Sequence, residues 1–192
     1  MIKMPRVRPI FAPVFAAVVL IFSQAALATS FEHLTLARLA RTAQIIVRAR
    51  CVSNSARWDG GEIWTITTWE EIELWKGSTS GLITVRLLGG TVGSVTSNVS
   101  GVPRFRPGED VILFLEPLAQ GDYSVESWGQ GTFRVYRDPK SGHSLVTQDT
   151  VGFSTFDPKS RRFVTTANRA VEISKFRAQV AASLLGTKGE NE

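Results

Sequence analysis

Two histidines and one cysteine are the scarcest reactive side chains of this 192-residue chain. Their placing argues against most chemistry. His33, His143 and Cys51 lie far apart, and none has a second ligand at the short spacing a metal site requires. No metal is expected. Ser141, His143 and Ser144, with Asp138 close by, are the residue types of a nucleophile, its base and an orienting acid. They fall on one hairpin tip, where adjacent side chains do not converge in a triad, and no Gly-x-Ser-x-Gly elbow occurs. Glu71 and Glu73 would share one face of a strand, about 6.5 Å apart by strand rise. That separation suits paired glycosidase carboxylates, and an envelope hydrolase using Glu71 is the enzymatic reading. The other reading is that Glu70, Glu71 and Glu73 keep an exposed strand from pairing with other chains. Gly89-Gly90-Thr91-Val92-Gly93 follows a strand, as phosphate-binding loops do, but residues 94–98 are β-prone where a helix would be needed. Nucleotide binding is excluded on that ground, and no cofactor is expected.

The tryptophans are the most suggestive group. Trp58, Trp64, Trp69 and Trp75 fall within eighteen residues. Rings sharing an exposed face form a stacking platform for a sugar, a peptide or another extended chain. With Trp64 assigned to the core, Trp58, Trp69 and Trp75 are the candidate ligand-binding residues. A second candidate is the basic stretch 157–177, where Lys159, Arg161, Arg162, Arg169, Lys175 and Arg177 face only Asp157 and Glu172. It could attract an anionic polymer or serve as a solvated helix face. Lacking interleaved aromatics or a recognised motif, it is not a nucleic-acid module.

Positioning these groups falls to a β-rich framework. Leu34, Leu36, Leu39 and Ala40 predict a short amphipathic helix over 33–43, capped by Thr35 or Ser30. A strand from Gln44 runs into Ser53-Asn54-Ser55, Asp59-Gly60-Gly61 is a turn, and 62–76 reads as one long strand. Its apolar phase breaks. Trp64 and Ile66 share a face with Ile72 and Leu74, yet Glu70 intrudes there and Trp69 lies opposite, so a bulge or bend is expected at 68–71. After an irregular, glycine-punctuated stretch from Gly89 to Gly101 come strands at 111–116, 123–128, 132–137 and 144–147, with another at 82–88 before it. A terminal helix is expected over 174–185, capped by Ser174, stopped at Gly186, and apolar along Phe176, Val180, Leu184 and Leu185. Many short strands with few helices predict a mostly β chain: a small OB-like barrel, or alternatively a β-sandwich, with a short N-terminal and a C-terminal helix.

The charge points to a compartment. With 22 Lys and Arg against 17 Asp and Glu the net charge is +5. Lys3, Arg6 and Arg8 precede an apolar run from Ile10 to Phe22, and Ala26-Leu27-Ala28 follows. This is the secretory-signal pattern, with cleavage expected after Ala28. Its apolar core is shorter than the roughly twenty residues that span a bilayer. Without residues 1–28 the chain keeps 19 basic and 17 acidic residues, a net of +2. The expected organisation is a signal peptide at 1–28, a single β-barrel domain at 29–186 and a flexible tail at 187–192. The product is secreted or periplasmic, with no membrane or nucleic-acid partner after cleavage. One cysteine rules out a disulfide framework, so the 43% of hydrophobic residues must hold the fold.

Several stretches resemble a group of uncharacterised bacterial secreted proteins and, more remotely, the netrin-like and tissue-inhibitor-of-metalloproteinase (NTR/TIMP-like) OB-fold domains. They are Thr42-Ala43-Gln44-Ile45-Ile46-Val47-Arg48-Ala49, the strand from Trp64 to Trp69, Leu74-Trp75-Lys76-Gly77, Gly89-Gly90-Thr91-Val92-Gly93, and Gly101-Val102-Pro103-Arg104-Phe105-Arg106-Pro107-Gly108-Glu109 running into Leu113-Phe114-Leu115. The resemblance covers about residues 34–137 and implies a fold, not an active site. The inhibitors use a mature N-terminal cysteine to chelate the protease zinc. Here the expected new terminus is Thr29 and the only cysteine is Cys51, so that mechanism does not carry over. The expected function is an exported non-catalytic binding module for a protein, peptide or glycan of the cell envelope. Protease modulation and the Glu71 hydrolase are the alternatives. A binding module predicts at least two coplanar exposed tryptophans and no convergent carboxylates; a hydrolase predicts Glu71 facing a cleft with a second acid within reach.

Overall fold

A computed structural model describes residues 31–119, 121–149, 155–157, 160–164 and 169–186. The expected signal peptide at 1–28 and the expected tail at 187–192 lie outside them. In chain order the elements are β1 (Phe31–Glu32), α1 (Leu36–Thr42), β2 (Ile45–Asp59), β3 (Glu62–Lys76), β4 (Leu82–Leu88), β5 (Gly90–Val92) and β6 (Val95–Ser97). They continue with β7 (Asp110–Pro117), β8 (Tyr123–Val125), β9 (Thr132–Arg137), β10 (Ser144–Gln148), β11 (Thr155–Asp157), β12 (Arg162–Val164), β13 (Val171–Glu172) and α2 (Ile173–Leu185). The chain is mostly β with two helices. Eight strands form one sheet in the order β13-β10-β9-β7-β2-β3-β4-β8, and β8 also pairs with β7. The five strands β2, β3, β4, β8 and β7 are therefore linked in a circuit of pairings.

Its longest unit is the β2–β3 hairpin. Gly60 and Gly61 turn the chain with φ of 61° and 85°, the left-handed region a two-residue hairpin turn requires. The expected stop at Ser53-Asn54-Ser55 is absent: β2 runs on to Asp59, because β3 offers a partner to each of these polar residues. Three register shifts bend the pair, between Ile46 and Val47, Arg48 and Ala49, and Cys51 and Ser53. The last skips Val52 on β2, opposite Thr68 and Trp69, which is the strand β3 stretch where a bend was expected. The extra residue sits on the partner strand.

From Ile63 to Trp69 the phase of β3 is the reverse of the one expected, with no residue of β3 skipped. Ile63, Thr65, Thr67 and Trp69 are buried, whereas Trp64, Ile66 and Thr68 are only half-buried. The inner core comprises Ile45, Val47 and Cys51 of β2 with Trp69, Val85, Leu113 and Val125 from the other four strands. A second core lies on the opposite side of the sheet, where Ile46, Ile112, Phe114 and Phe133 meet α1 through Leu39 and α2 through Phe176 and Val180. The Thr35 hydroxyl caps α1 by accepting from the Arg38 N–H at 3.2 Å. Lys76 Nζ closes its other end, donating to the carbonyls of Ala40 (2.8 Å) and Arg41 (3.0 Å). Helix α2 begins at Ile173 with Glu172 before it, not at a Ser174 cap, and Leu185 is exposed. The strand expected over 123–128 ends at Val125, since Ser127 and Trp128 take φ of 50° and 53° and lead into a 3-10 turn.

Candidate functional site

The three tryptophans proposed as a platform go to three different places. Trp69 is 0% exposed and stacks edge-on against Phe105 at 4.7 Å in the inner core. Its ring offers nothing to a ligand. β3 alternates without a break from Ile63 to Trp69, so Trp69 points inward because Trp64, expected in the core, lies on the opposite face. Trp75 is half-buried in the second core, 6.1 Å from Phe176, and its Nε1–H has no hydrogen-bond partner. Only Trp58 is well exposed, at 52%. Its cross-strand neighbour is Ile63, whereas Trp64 faces Arg57, so the two tryptophans at the hairpin tip look to opposite sides. No coplanar pair forms among Trp58, Trp69 and Trp75.

Trp64, assigned to the core by sequence, instead borders a surface recess of about 430 Å³. The β2–β3 turn supplies Asp59, Gly60 and Glu62 to this recess, β3 and β4 supply Trp64 and Arg86, and the β7–β8 connection supplies Leu118 and Ala119. The Arg86 guanidinium lies 5.2 Å from the Trp64 ring centroid and is ion-paired with Asp59. That pairing fixes a flat aromatic surface beside a fixed charge pair. Arg86 is largely buried, so desolvation strengthens both contacts. The sequence held one usable signal: Trp64 and Arg86 stand on strands joined by a short loop.

A second, larger cleft of about 630 Å³ opens where the hairpin passes the segment 102–106. Asn54, Ala56 and Thr65 form one wall, and Val102, Phe105 and Arg106 the other. β5 crosses here. A Cβ on Gly90, whose φ is 143°, would sit 2.5 Å from Thr65 Oγ1 and 2.9 Å from Ala56 Cβ, so only glycine permits the crossing. Arg134 is clamped at the rim by Asp149 (2.6 Å) and Glu109 (2.8 Å) and lies 5.5 Å from the Phe105 ring. Burial works against its charge, but the Asp149 hydrogen bond and the two carboxylate charges outweigh it and raise its pKa. Arg104 donates to Ser97 O at 3.1 Å and Asn98 Oδ1 at 2.7 Å.

The catalytic candidates are not assembled. Glu71 lies opposite Ala49 and Glu73 opposite Arg48, successive residues of β2, because the shift between them skips Ile72. The two carboxylates part: Glu71 accepts from the Thr79 hydroxyl, and Glu73 pairs with Arg177 of α2. Ser141 donates to Asp138 at 2.6 Å, while His143 Nδ1 lies 3.0 Å from Glu172 Oε1. The serine and histidine thus turn to separate partners. The Lys175 hydrogen bond, and then His143, hold Glu172 below its ordinary range. Cys51 is buried, and desolvation followed by the Glu109 charge pushes its thiol up to about 11. Among the described residues no three His, Cys, Asp or Glu are placed to hold a metal. In the basic stretch, Lys175 and Arg177 are ion-paired, Arg161, Arg162 and Arg169 are exposed, and Lys159 lies outside the described residues. No described helix is long and apolar enough to cross a membrane. The chain matches no protein-family model and no curated protein.

Proposed function

We propose that this chain is an exported, non-catalytic interaction module built on an OB-like barrel, taking a glycan or peptide chain of the cell envelope. One observation carries the reading: the pairing circuit and the recess it frames. The circuit runs β2-β3-β4-β8-β7 and returns to β2, with β4–β8 parallel and the remaining pairs antiparallel. Such an order supports a five-stranded ring of the OB kind. OB folds take chain-like ligands on the face of their second and third strands, between the first and fourth loops of the ring. Counted along this circuit, those parts are β3, β4, the Gly60–Gly61 turn and the β7–β8 connection, all of which border the recess. The expected platform of Trp58, Trp69 and Trp75 does not form, and Trp64 alone supplies a stacking face, with Asp59, Glu62 and Arg86 supplying polar groups for hydroxyls or amides. Export rests on the 1–28 leader pattern. The remote NTR/TIMP likeness belongs to the same proposal, without the zinc-chelating terminus.

The test is a binding titration of the purified protein with soluble peptidoglycan and envelope-polysaccharide fragments, followed by calorimetry. Trp64→Ala is expected to weaken binding about tenfold, within the range of one lost aromatic contact. Trp58→Ala, on the other side of the hairpin, is expected to leave it unchanged. Failure of every fragment to bind the unaltered protein, or equal effects of the two substitutions, would overturn the reading.

A further inference from the structure

We propose that the open edge of β2 beyond the Val52 bulge, with the arginine-rimmed cleft beside it, docks an extended acidic peptide that adds to β2 as a further strand. This site is separate from the recess at Trp64 and does not depend on it.

On the side away from β3, β2 pairs with β7 only from Ile45 to Arg50. The last bonds on that side are Cys51 N–H to Glu109 O at 2.9 Å and Gly108 N–H to Cys51 O at 2.8 Å. From Ser53 to Asp59 the strand pairs with β3 alone among the described residues. Every second N–H and C=O of that stretch therefore points outward along a regular strand. Such an edge is a template for strand addition, in which main-chain bonds give affinity and alternate side chains give specificity. Proteins commonly protect edges with charges. Here 53–56 carries none, Asp59 at the turn end is engaged by Arg86, and the exposed Arg57 is a cation that suits an acidic partner.

The cleft states which side chains suit the added strand. Asn54 and Ala56 of the open stretch line it, so a strand added to β2 brings its inward side chains over the cleft. Its charged rim carries Arg104, Arg106 and Arg134 against Glu109, with Asp149 paired to Arg134 behind it, an excess of one positive charge. The Arg134 guanidinium is satisfied by Asp149, Glu109 and the Arg104 carbonyl. Arg104 keeps donors beyond those given to Ser97 and Asn98, because guanidinium has five N–H groups. Arg106 is exposed; its carbonyl accepts from the Glu109 N–H at 3.2 Å, and its guanidinium makes no hydrogen bond or ion pair among the described residues. Carboxylates are the complementary groups, and Leu87 and Val102 provide apolar contact between them. A polysaccharide could meet the arginines but lacks the main-chain amides at strand spacing that pair with the edge.

The probe is a synthetic octapeptide alternating valine and glutamate, titrated into the protein expressed from its full sequence. Two counterparts accompany it, one with alternate amides N-methylated and one with lysine in place of glutamate. Binding of the acidic peptide is expected, with loss of at least tenfold for both counterparts. Arg106→Glu is expected to weaken the acidic peptide at least tenfold, and Arg106→Ala less. Both variants alter an exposed side chain, and thermal melting checks that each is folded. Hydrogen exchange with peptide bound is expected to slow at amides in 53–59. Binding of the N-methylated peptide at full strength would overturn strand addition. Equal binding of the lysine peptide, or indifference to both Arg106 variants, would overturn the acidic specificity. No binding of the acidic peptide overturns the proposal altogether, whatever the glycan titration at Trp64 returns.

Discussion

Thr67 and Trp69 settle how β3 carries polar atoms into the inner core. Thr67 is fully buried, donates its hydroxyl to Val85 O at 3.2 Å, and accepts the Trp69 Nε1–H at 2.8 Å. The hydroxyl thus serves the sheet and the indole together. Thr67→Val keeps the shape but orphans the buried indole donor, and it is expected to cost about 1–3 kcal/mol. Urea unfolding checks this, with Trp69→Phe as a second background in which the same substitution should cost much less. Equal costs in both backgrounds would mean the bond contributes nothing. Sequence periodicity could not place this pair, because threonine is a surface residue by composition and Trp69 stood out of phase with Trp64. The same limit explains Glu71 and Glu73. Their spacing reads as one face of a regular strand, and a single skipped residue sends them to Thr79 and Arg177. Bulges leave no compositional mark, so site residues on a bulged strand are the least legible ones.

Hairpin geometry, in contrast, was largely written in residue types. Asp59-Gly60-Gly61 marks the turn, and the expected strands 62–76, 82–88 and 132–137 have the bounds observed. The polar end of β2 escaped because Ser53-Asn54-Ser55 reads as a loop, and only pairing with Thr67 and its neighbours makes it a strand. β5 and β6 escaped for a similar reason: each is three residues long within a glycine-punctuated stretch. The turn itself can be tested apart from packing. A Cβ on Gly60 or Gly61 meets nothing within 4 Å, so any cost of substitution is backbone strain alone. At φ of 61°, Gly60→Asn is expected to change stability by no more than about 0.5 kcal/mol, since asparagine tolerates this region. At φ of 85°, Gly61→Ala is expected to cost about 1 kcal/mol or more. Chemical denaturation of the two variants side by side measures the difference, and an equal effect would mean that the hairpin arms, not the turn, set the register.

At the scale of the whole molecule, the fold depends on two strands that serve both sides of the sheet. β2 gives Val47 and Ala49 to the inner core and Ile46 to the outer one; β7 gives Val111, Leu113 and Leu115 inward and Ile112 and Phe114 outward. Pairing of β8 with both β4 and β7 was not legible in the sequence. It rests on three residues of β8 and on a parallel pairing, Val85 with Tyr123, between strands far apart in the chain. With no disulfide, since Cys51 is the chain's lone cysteine, these shared strands must couple the cores. Leu113 and Phe114 are both fully buried, adjacent in β7, and belong to different cores. Leu113→Ala and Phe114→Ala are each expected to cost about 2–5 kcal/mol. Because the loss passes through one strand, each should lower amide-exchange protection by the same free energy in both cores, in β3 and β4 as much as in β9, β10 and α2. If Phe114→Ala loosened only β9, β10 and α2 while β3 and β4 kept their protection, the outer layer would be a separate unit. In that case the Trp64 recess would belong to a five-strand unit that stands without the outer layer, while the edge groove, whose rim includes Arg134 of β9, would draw on both.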